Sequence, residues 1–412
     1  MKRFWTSIIC ILTCAGLSAC LPSPNIATTA PTAPPQTAAP TRMHTPAATS
    51  TPVPTTAPTP LGGSGLVYTN GDRDDGKGNW VPGIYRYDLS AQQTSLVIEG
   101  LYIEGFAPDG KHMLAFQQAG KMTSYNTPGN LFITDLDGSN PVLVSATFAH
   151  ANNDTGTSAC WYPNANVIVF RGFDDHQHVQ LFTVKPDGSG LTQLTQSTLD
   201  VLNFLPTLGN GGIYWDEGNY TLDYGWNWVS LDGQQANATH WQDMAISPNG
   251  AYIVYWKMVT DQAGTNHAIY EISRTDGQSD IPLNLVGLLN LTAGNFNMTI
   301  SSFLWFPDNQ RLLMQYCVGD KCNTYSHMIL SVNGESLGEV DLDYIYGNSG
   351  AWSPDRKYYG FMDVVQKGND QVDVLKVLDV TTMQVRELNL SYPDVPSFYK
   401  FFWKPGVNES KS

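Results

Sequence analysis

The sequence predicts an all-β fold built from one repeated antiparallel unit, on three observations. Charged residues make up only 14% of the chain and aromatics 11%, beside 37 Gly and 25 Pro, so strand and turn formers dominate. A large apolar residue, one spacer and a Pro recur seven times. Between these recurrences, Asp-Gly or Asn-Gly pairs mark a second set of turns.

The Pro signals are Phe106-Ala107-Pro108, Trp161-Tyr162-Pro163, Phe204-Leu205-Pro206, Ile246-Ser247-Pro248, Trp305-Phe306-Pro307, Trp352-Ser353-Pro354 and Trp403-Lys404-Pro405. Five are followed by Asp or Asn: Asp109, Asn164, Asn249, Asp308 and Asp355. Pro presets φ for the first corner of a turn, and Asp, Asn or Gly tolerates the next. A β-branched or aromatic run follows each of the first six signals, as in His112–Phe116, Val167–Phe170 and Tyr252–Trp256. The later turns are Asp137-Gly138, Asp187-Gly188, Asp232-Gly233, Asp276-Gly277 and Asn333-Gly334, where both central residues are expected at positive φ. Each unit therefore reads as four strands, A to D, with the Pro turn joining A to B and the Gly turn joining C to D.

The ends complement each other. Leu66–Thr69, Ile84–Leu89 and Ser95–Ile98 read as B, C and D without a preceding Pro turn, while Phe398–Trp403 reads as an A strand with nothing after it. Pairing the last strand with the first three closes a ring and removes free sheet edges.

This pattern resembles the TolB-type, WD40-like propeller repeat, most closely at Phe106-Ala107-Pro108-Asp109-Gly110 and at Val184-Lys185-Pro186-Asp187-Gly188. The resemblance implies a single β-propeller over residues 66–406, with seven four-stranded blades. Six is the alternative, if the divergent copy at Phe204 is an insertion. Residues 407–412 form a polar tail.

The N-terminus reads as an address. Lys2 and Arg3 precede an apolar stretch from Phe4 to Gly16, too short to span a bilayer comfortably. Leu17-Ser18-Ala19-Cys20 resembles the lipobox of bacterial lipoproteins, which implies a signal peptide over 1–19 and lipidation of Cys20. Residues 20–65 form a Pro/Thr-rich linker with too few large apolar side chains to build a core. The expected location is the cell envelope, lipid-anchored and facing the periplasm or the exterior, with the membrane engaged through the anchor alone. Net charge is −15, or −17 once Lys2 and Arg3 are removed, which disfavours nucleic acid as a partner. Cys317 and Cys322 flank a Gly-Asp turn, and an oxidising compartment makes a disulfide between them the expectation. Cys160 reads as a small buried residue.

Binding residues favour long loops on a rigid scaffold. In a propeller the B–C and D–A connections share one face, and here they are long. The candidates on them are His150, Asn153, Asp154, Asp174, His176, His178, Asp200, Glu217 and Tyr220. Asp72 to Gly76 lacks the full oxygen spacing of a calcium loop. His176 and His178 share a side if extended, but no metal or cofactor is expected. The aromatic run Tyr214, Trp215, Tyr220, Tyr224, Trp226 and Trp228 reads as packing between blades, with sugar stacking as the alternative. No Gly-x-Ser-x-Gly elbow, phosphate loop, His-Glu-x-x-His or dinucleotide fingerprint occurs, and no catalytic residue is assigned. The expected function is a binding or scaffold module, monomeric, for an envelope protein, peptide or glycan. The alternative is a propeller-fold polysaccharide lyase or hydrolase.

Overall fold

The structure is a computed structural model that describes residues 65–119, 126–151, 157–162, 166–206, 211–217, 226–239, 242–260, 262, 264, 266–275, 280–289, 298–319, 324–342, 350–367, 370–395 and 398–405. Cys20, the signal segment and the linker to Ser64 lie outside the described residues, as do Asn153, Asp154, Tyr220 and Cys322.

Every described strand belongs to the compact unit Pro58–Ser412. The first sheet has β28 (Phe398–Trp403), β1 (Leu66–Asp74), β2 (Trp80–Asp88) and β3 (Gln93–Glu99) in that order, so the last strand completes the sheet begun by the first three. The next eight strands are β4 (Tyr102–Phe106), β5 (His112–Gln118), β6 (Asn126–Asp135), β7 (Val142–Ala151), β8 (Ala159–Trp161), β9 (Ile168–Phe173), β10 (Val179–Val184) and β11 (Thr192–Gln193), and they form one sheet. Four-stranded sheets follow. The first two contain β12 (Val201–Pro206), β13 (Gly212–Glu217), β14 (Trp226–Ser230) and β15 (Gln235–Thr239), then β16 (Gln242–Ile246), β17 (Tyr252–Thr260), β18 (Asn266–Arg274) and β19 (Asp280–Pro282). A single helical turn, α1 (Leu285–Leu288), precedes β20 (Met298–Trp305), β21 (Arg311–Val318), β22 (Ser326–Ser331) and β23 (Ser336–Val340). The last sheet holds β24 (Ala351–Trp352), β25 (Tyr358–Lys367), β26 (Asp370–Asp379) and β27 (Gln384–Leu388).

The fold is an all-β propeller, but the expected seven or six four-stranded blades are not what forms. Five separate four-stranded blades are present, and the remaining eight strands make a single sheet. The cause is local. Strand β7 runs for ten residues and reaches β9, where Phe148 pairs with Gly172. A Cβ on Gly172 would stand 3.0 Å from the Phe182 ring and 3.1 Å from the Phe170 ring, so a side chain there would press on both rings.

The turns differ from expectation in one detail. The N–H of Gly138 donates to the carbonyl of Asp135, and Gly188, Gly233 and Gly334 repeat the arrangement with Lys185, Ser230 and Ser331. Only the Gly is left-handed, at φ 76° to 83°, which makes each a type I turn ending in a left-handed residue. The Pro turns do the same, with Gly110, Gly250, Asn309 and Arg356 in the left-handed position.

The core lies between neighbouring sheets. Tyr68, Ile84, Ile103 and Met113 join the first sheet to β4 and β5, and Leu304, Phe306, Tyr359 and Phe361 join the two sheets before the close. Leu375 and Val377 pack on Val67, Phe401 and Trp403, so the last sheet meets the first. Strands β1 and β4, β16 and β20, and β24 and β28 touch across sheet boundaries, and β4 and β8 touch within the eight-stranded sheet, which marks these strands as inner ones. Trp215 and Trp226 are buried in inter-sheet clusters, in keeping with the packing reading of the aromatic run.

Candidate functional site

Inner strands carry extra residues. The register of β4 against β5 slips between Ile103 and Gly105, leaving Glu104 as a bulge. The register of β28 against β1 slips between Thr69 and Asn70, leaving Lys400 as a bulge, at φ 51°. A bulge re-aims the side chain it inserts. Here the two inserted residues carry opposite charge and come from adjacent sheets. The Lys400 ammonium donates to Glu104 Oε2 at 3.0 Å. Asn70 clasps the same spot, accepting from Ile103 N–H at 2.7 Å and donating to its carbonyl at 3.1 Å.

His150 lies in β7, not in the loop where the sequence placed it. The strand holds its ring against Phe116, with centroids 4.8 Å apart. Its Nδ1 stands 2.7 Å from Glu104 Oε1, without good hydrogen-bond alignment. The Glu104 side chain has no exposed surface. Burial alone would raise its carboxyl, but the Lys400 ammonium and the His150 imidazole outweigh burial and hold it at about 2.

A second buried charge sits on β9. Arg171 donates from Nε to the Val201 carbonyl at 3.0 Å and from Nη2 to Asn126 Oδ1 at 2.6 Å. Its partners thus come from β6 and β12, and the guanidinium ties the eight-stranded sheet to the one that follows it. Burial lowers its pKa to about 10, against the opposing pull of Asp216, Asp200 and Glu104, and it remains a cation at neutral pH.

Above Arg171 lie several sequence candidates. Asp200 accepts from the Val179 N–H at 2.8 Å, and its other oxygen is 3.5 Å from Asn126 Nδ2. His178 Nδ1 is 3.8 Å from Asp200, and both side chains are about two-fifths exposed, at 43% and 40%. Glu217, the last residue of β13, accepts a short hydrogen bond from the Ser197 hydroxyl. The neighbouring Asp216 accepts from Asn203 N–H at 2.6 Å and Nδ2 at 3.0 Å. Asp174 holds the β9–β10 turn closed, its Oδ1 accepting from the N–H of His176 and of His178. His176 is exposed on that turn.

The structure therefore brings His150, His178, Asp200 and Glu217 into one polar region with Glu104, Lys400, Arg171 and Asn126, which sequence reasoning missed. Among the described residues, no group of three or more His, Cys, Asp or Glu side chains is arranged to hold a metal ion. Cys317 is disulfide-bonded, and its expected partner Cys322 lies outside the described residues. Burial pushes the Cys160 thiol up to about 12.

The chain matches no family model and no curated protein. Among solved structures it is similar to the β-propeller domain of the Trilobed protease from Pyrococcus furiosus, at 12% identity and a TM-score of 0.53, over 81% of this chain and 97% of that one. That domain is described as having an open velcro topology, whereas here β28 pairs with β1. Looser likenesses include TolB from Acinetobacter baumannii (13% identity, 83% of each chain, TM-score 0.37) and an oligogalacturonate lyase in complex with manganese (10%, 69% of this chain and 74% of that one, TM-score 0.42). At these identities the likeness is one of fold alone.

Proposed function

We propose that this chain is a lipid-anchored, extracytoplasmic binding module that takes a protein or peptide ligand on the B–C and D–A face of its propeller. The observation that carries the reading is the pairing of half-exposed His178 and Asp200 with a buried framework beneath them. Side chains fixed from below lose little freedom on binding, which is the physical basis of a preformed recognition surface. The lipobox at Leu17 to Cys20 and the linker that follows it supply the anchor and the reach.

The test is capture of partners from cells by cross-linking the full-length, tagged protein. His178→Ala is expected to reduce capture, and Lys185→Ala, an exposed residue on the opposite turns, to leave it unchanged. Capture that survives His178→Ala and fails with Lys185→Ala would place the interface on the other face. Cys20→Ser is expected to move the protein out of the membrane fraction, and retention there would refute the anchor.

A further inference from the structure

A cavity of about 580 Å³ opens on the same face, between the tip of the β1–β2 hairpin and the segment leading into β28. It lies within the size range of small-molecule sites. Arg73, Asp74, Asp75, Gly76, Trp80, Asp394 and Val395 line it. Trp80 is 59% exposed, the most exposed large apolar side chain among the described residues. An indole left in water beside a cavity is an unused binding surface.

The walls are tied in place. Asp74 N–H donates to the Asp394 carbonyl at 3.1 Å, joining hairpin to loop. Arg73 is held by Glu99 at 3.0 Å. Asp74 Oδ1 accepts from Gly76 N–H at 2.8 Å, leaving the other oxygen for a ligand. Asp75 is bonded to Asn79 and to the Lys77 N–H, which keeps its carboxyl below the usual range and ionised.

We propose that this cavity binds one pyranose ring of a neutral oligosaccharide, with Trp80 stacked on the sugar face. The lining selects for that chemistry. Trp80 and Val395 offer apolar surface, Arg73 offers donors, and Asp74 and Asp394 offer acceptors. A sugar has an apolar C–H face and a rim of hydroxyls that both donate and accept, so it satisfies all three. A purely apolar ligand would strip water from the carboxylates without replacing it. A uronate would meet the three carboxylates Asp74, Asp75 and Asp394. A simple cation would leave the guanidinium of Arg73 facing like charge.

This deepens the binding reading by adding a ligand class at a separate place on the same face. The experiment is calorimetric titration of the full-length protein in detergent with neutral oligosaccharides: α-1,4-glucans, β-1,4-glucans and N-acetylglucosamine oligomers. Binding is expected for at least one series. Trp80→Ala is expected to weaken it about tenfold, while Trp80→Phe, which keeps a stacking ring, retains most of it. Protein capture by the His178 region is expected to be unchanged in both variants, so failure here is distinguishable from failure of the binding reading. No binding to any neutral series would overturn the proposal, as would equal binding by Trp80→Ala. Binding confined to uronates or to basic peptides would also overturn it.

Discussion

Replacing Lys400 by Met would leave the Glu104 carboxylate buried with the His150 imidazole as its nearest remaining partner. The size of the effect follows from the ionisation of Glu104. Holding its carboxyl at about 2, against an ordinary value of 4.5, corresponds to roughly 3 kcal/mol of folding free energy. Because the folded value is depressed, that contribution is fully present above about pH 4.5 and is lost as pH falls from there toward about 2. Without the ammonium, the largest contribution opposing burial is gone and the carboxyl rises from that depressed value. The variant is therefore expected to lose about 3–5 kcal/mol near neutral pH, the cost of an uncompensated buried charge. It should lose clearly less near pH 4, where Glu104 takes up a proton at little cost. Urea unfolding followed by tryptophan fluorescence at both pH values measures the difference. An equal loss at both would show that Lys400 acts through packing, and no loss at neutral pH would refute the electrostatic account altogether.

Three further outcomes follow from the same geometry. Arg171→Leu is expected to cost about 3–5 kcal/mol by chemical denaturation, since Asp200 and Asp216 lose their cation, and Arg171→Lys should not restore it because one ammonium cannot reach both Val201 and Asn126. Gly129→Ala would set a Cβ 2.1 Å from the Phe116 ring and 2.3 Å from the Gln117 carbonyl oxygen; that oxygen belongs to the β5 backbone and cannot swing aside, so a loss of about 1–3 kcal/mol is expected in the same assay. Cys160, with its thiol raised to about 12, is expected to resist a disulfide reagent near pH 8 until the protein is unfolded, and rapid labelling of Cys160 itself in the native protein, read by peptide mass mapping, would contradict that.

The strands and turns were legible because their signals are local. Phe106-Ala107-Pro108-Asp109-Gly110 contains everything the β4–β5 hairpin needs: a preset φ at Pro108, a side-chain acceptor at Asp109 for the N–H of Lys111, and a left-handed Gly110. Phe398–Trp403 was identifiable as a closing strand because the first unit lacked one. The blade count was not legible, since it depends on one approach, Phe148 to Gly172, between residues far apart in the chain that carry no local signal for it. The site was half legible. His178, Asp200 and Glu217 stand at loop ends, where sequence reasoning searched. Glu104 and Lys400 stand inside strands and lie 296 residues apart. Their available signal was a lone charge within an apolar run, as in Ile103-Glu104-Gly105 and Tyr399-Lys400-Phe401, and Arg171 after Val169-Phe170 shows the same.

Those lone charges are tolerable only because of the bulges. In unbroken alternation, the side chain at either position would point to one or other face of its sheet, where Ile84, Ile103 and Met113 or Phe401 and Trp403 belong to apolar clusters. The inserted residue breaks that alternation at a single point, so each charge turns out of its own apolar layer and meets the other. The left-handed backbone at Lys400 costs about 1 kcal/mol or more. The ion pair with Glu104 and the paired hydrogen bonds of Asn70 to Ile103 offset it. The strand that closes the ring is thereby fastened twice, by its ladder to β1 and by a charge contact to β4, so closure and the polar region share one structural origin.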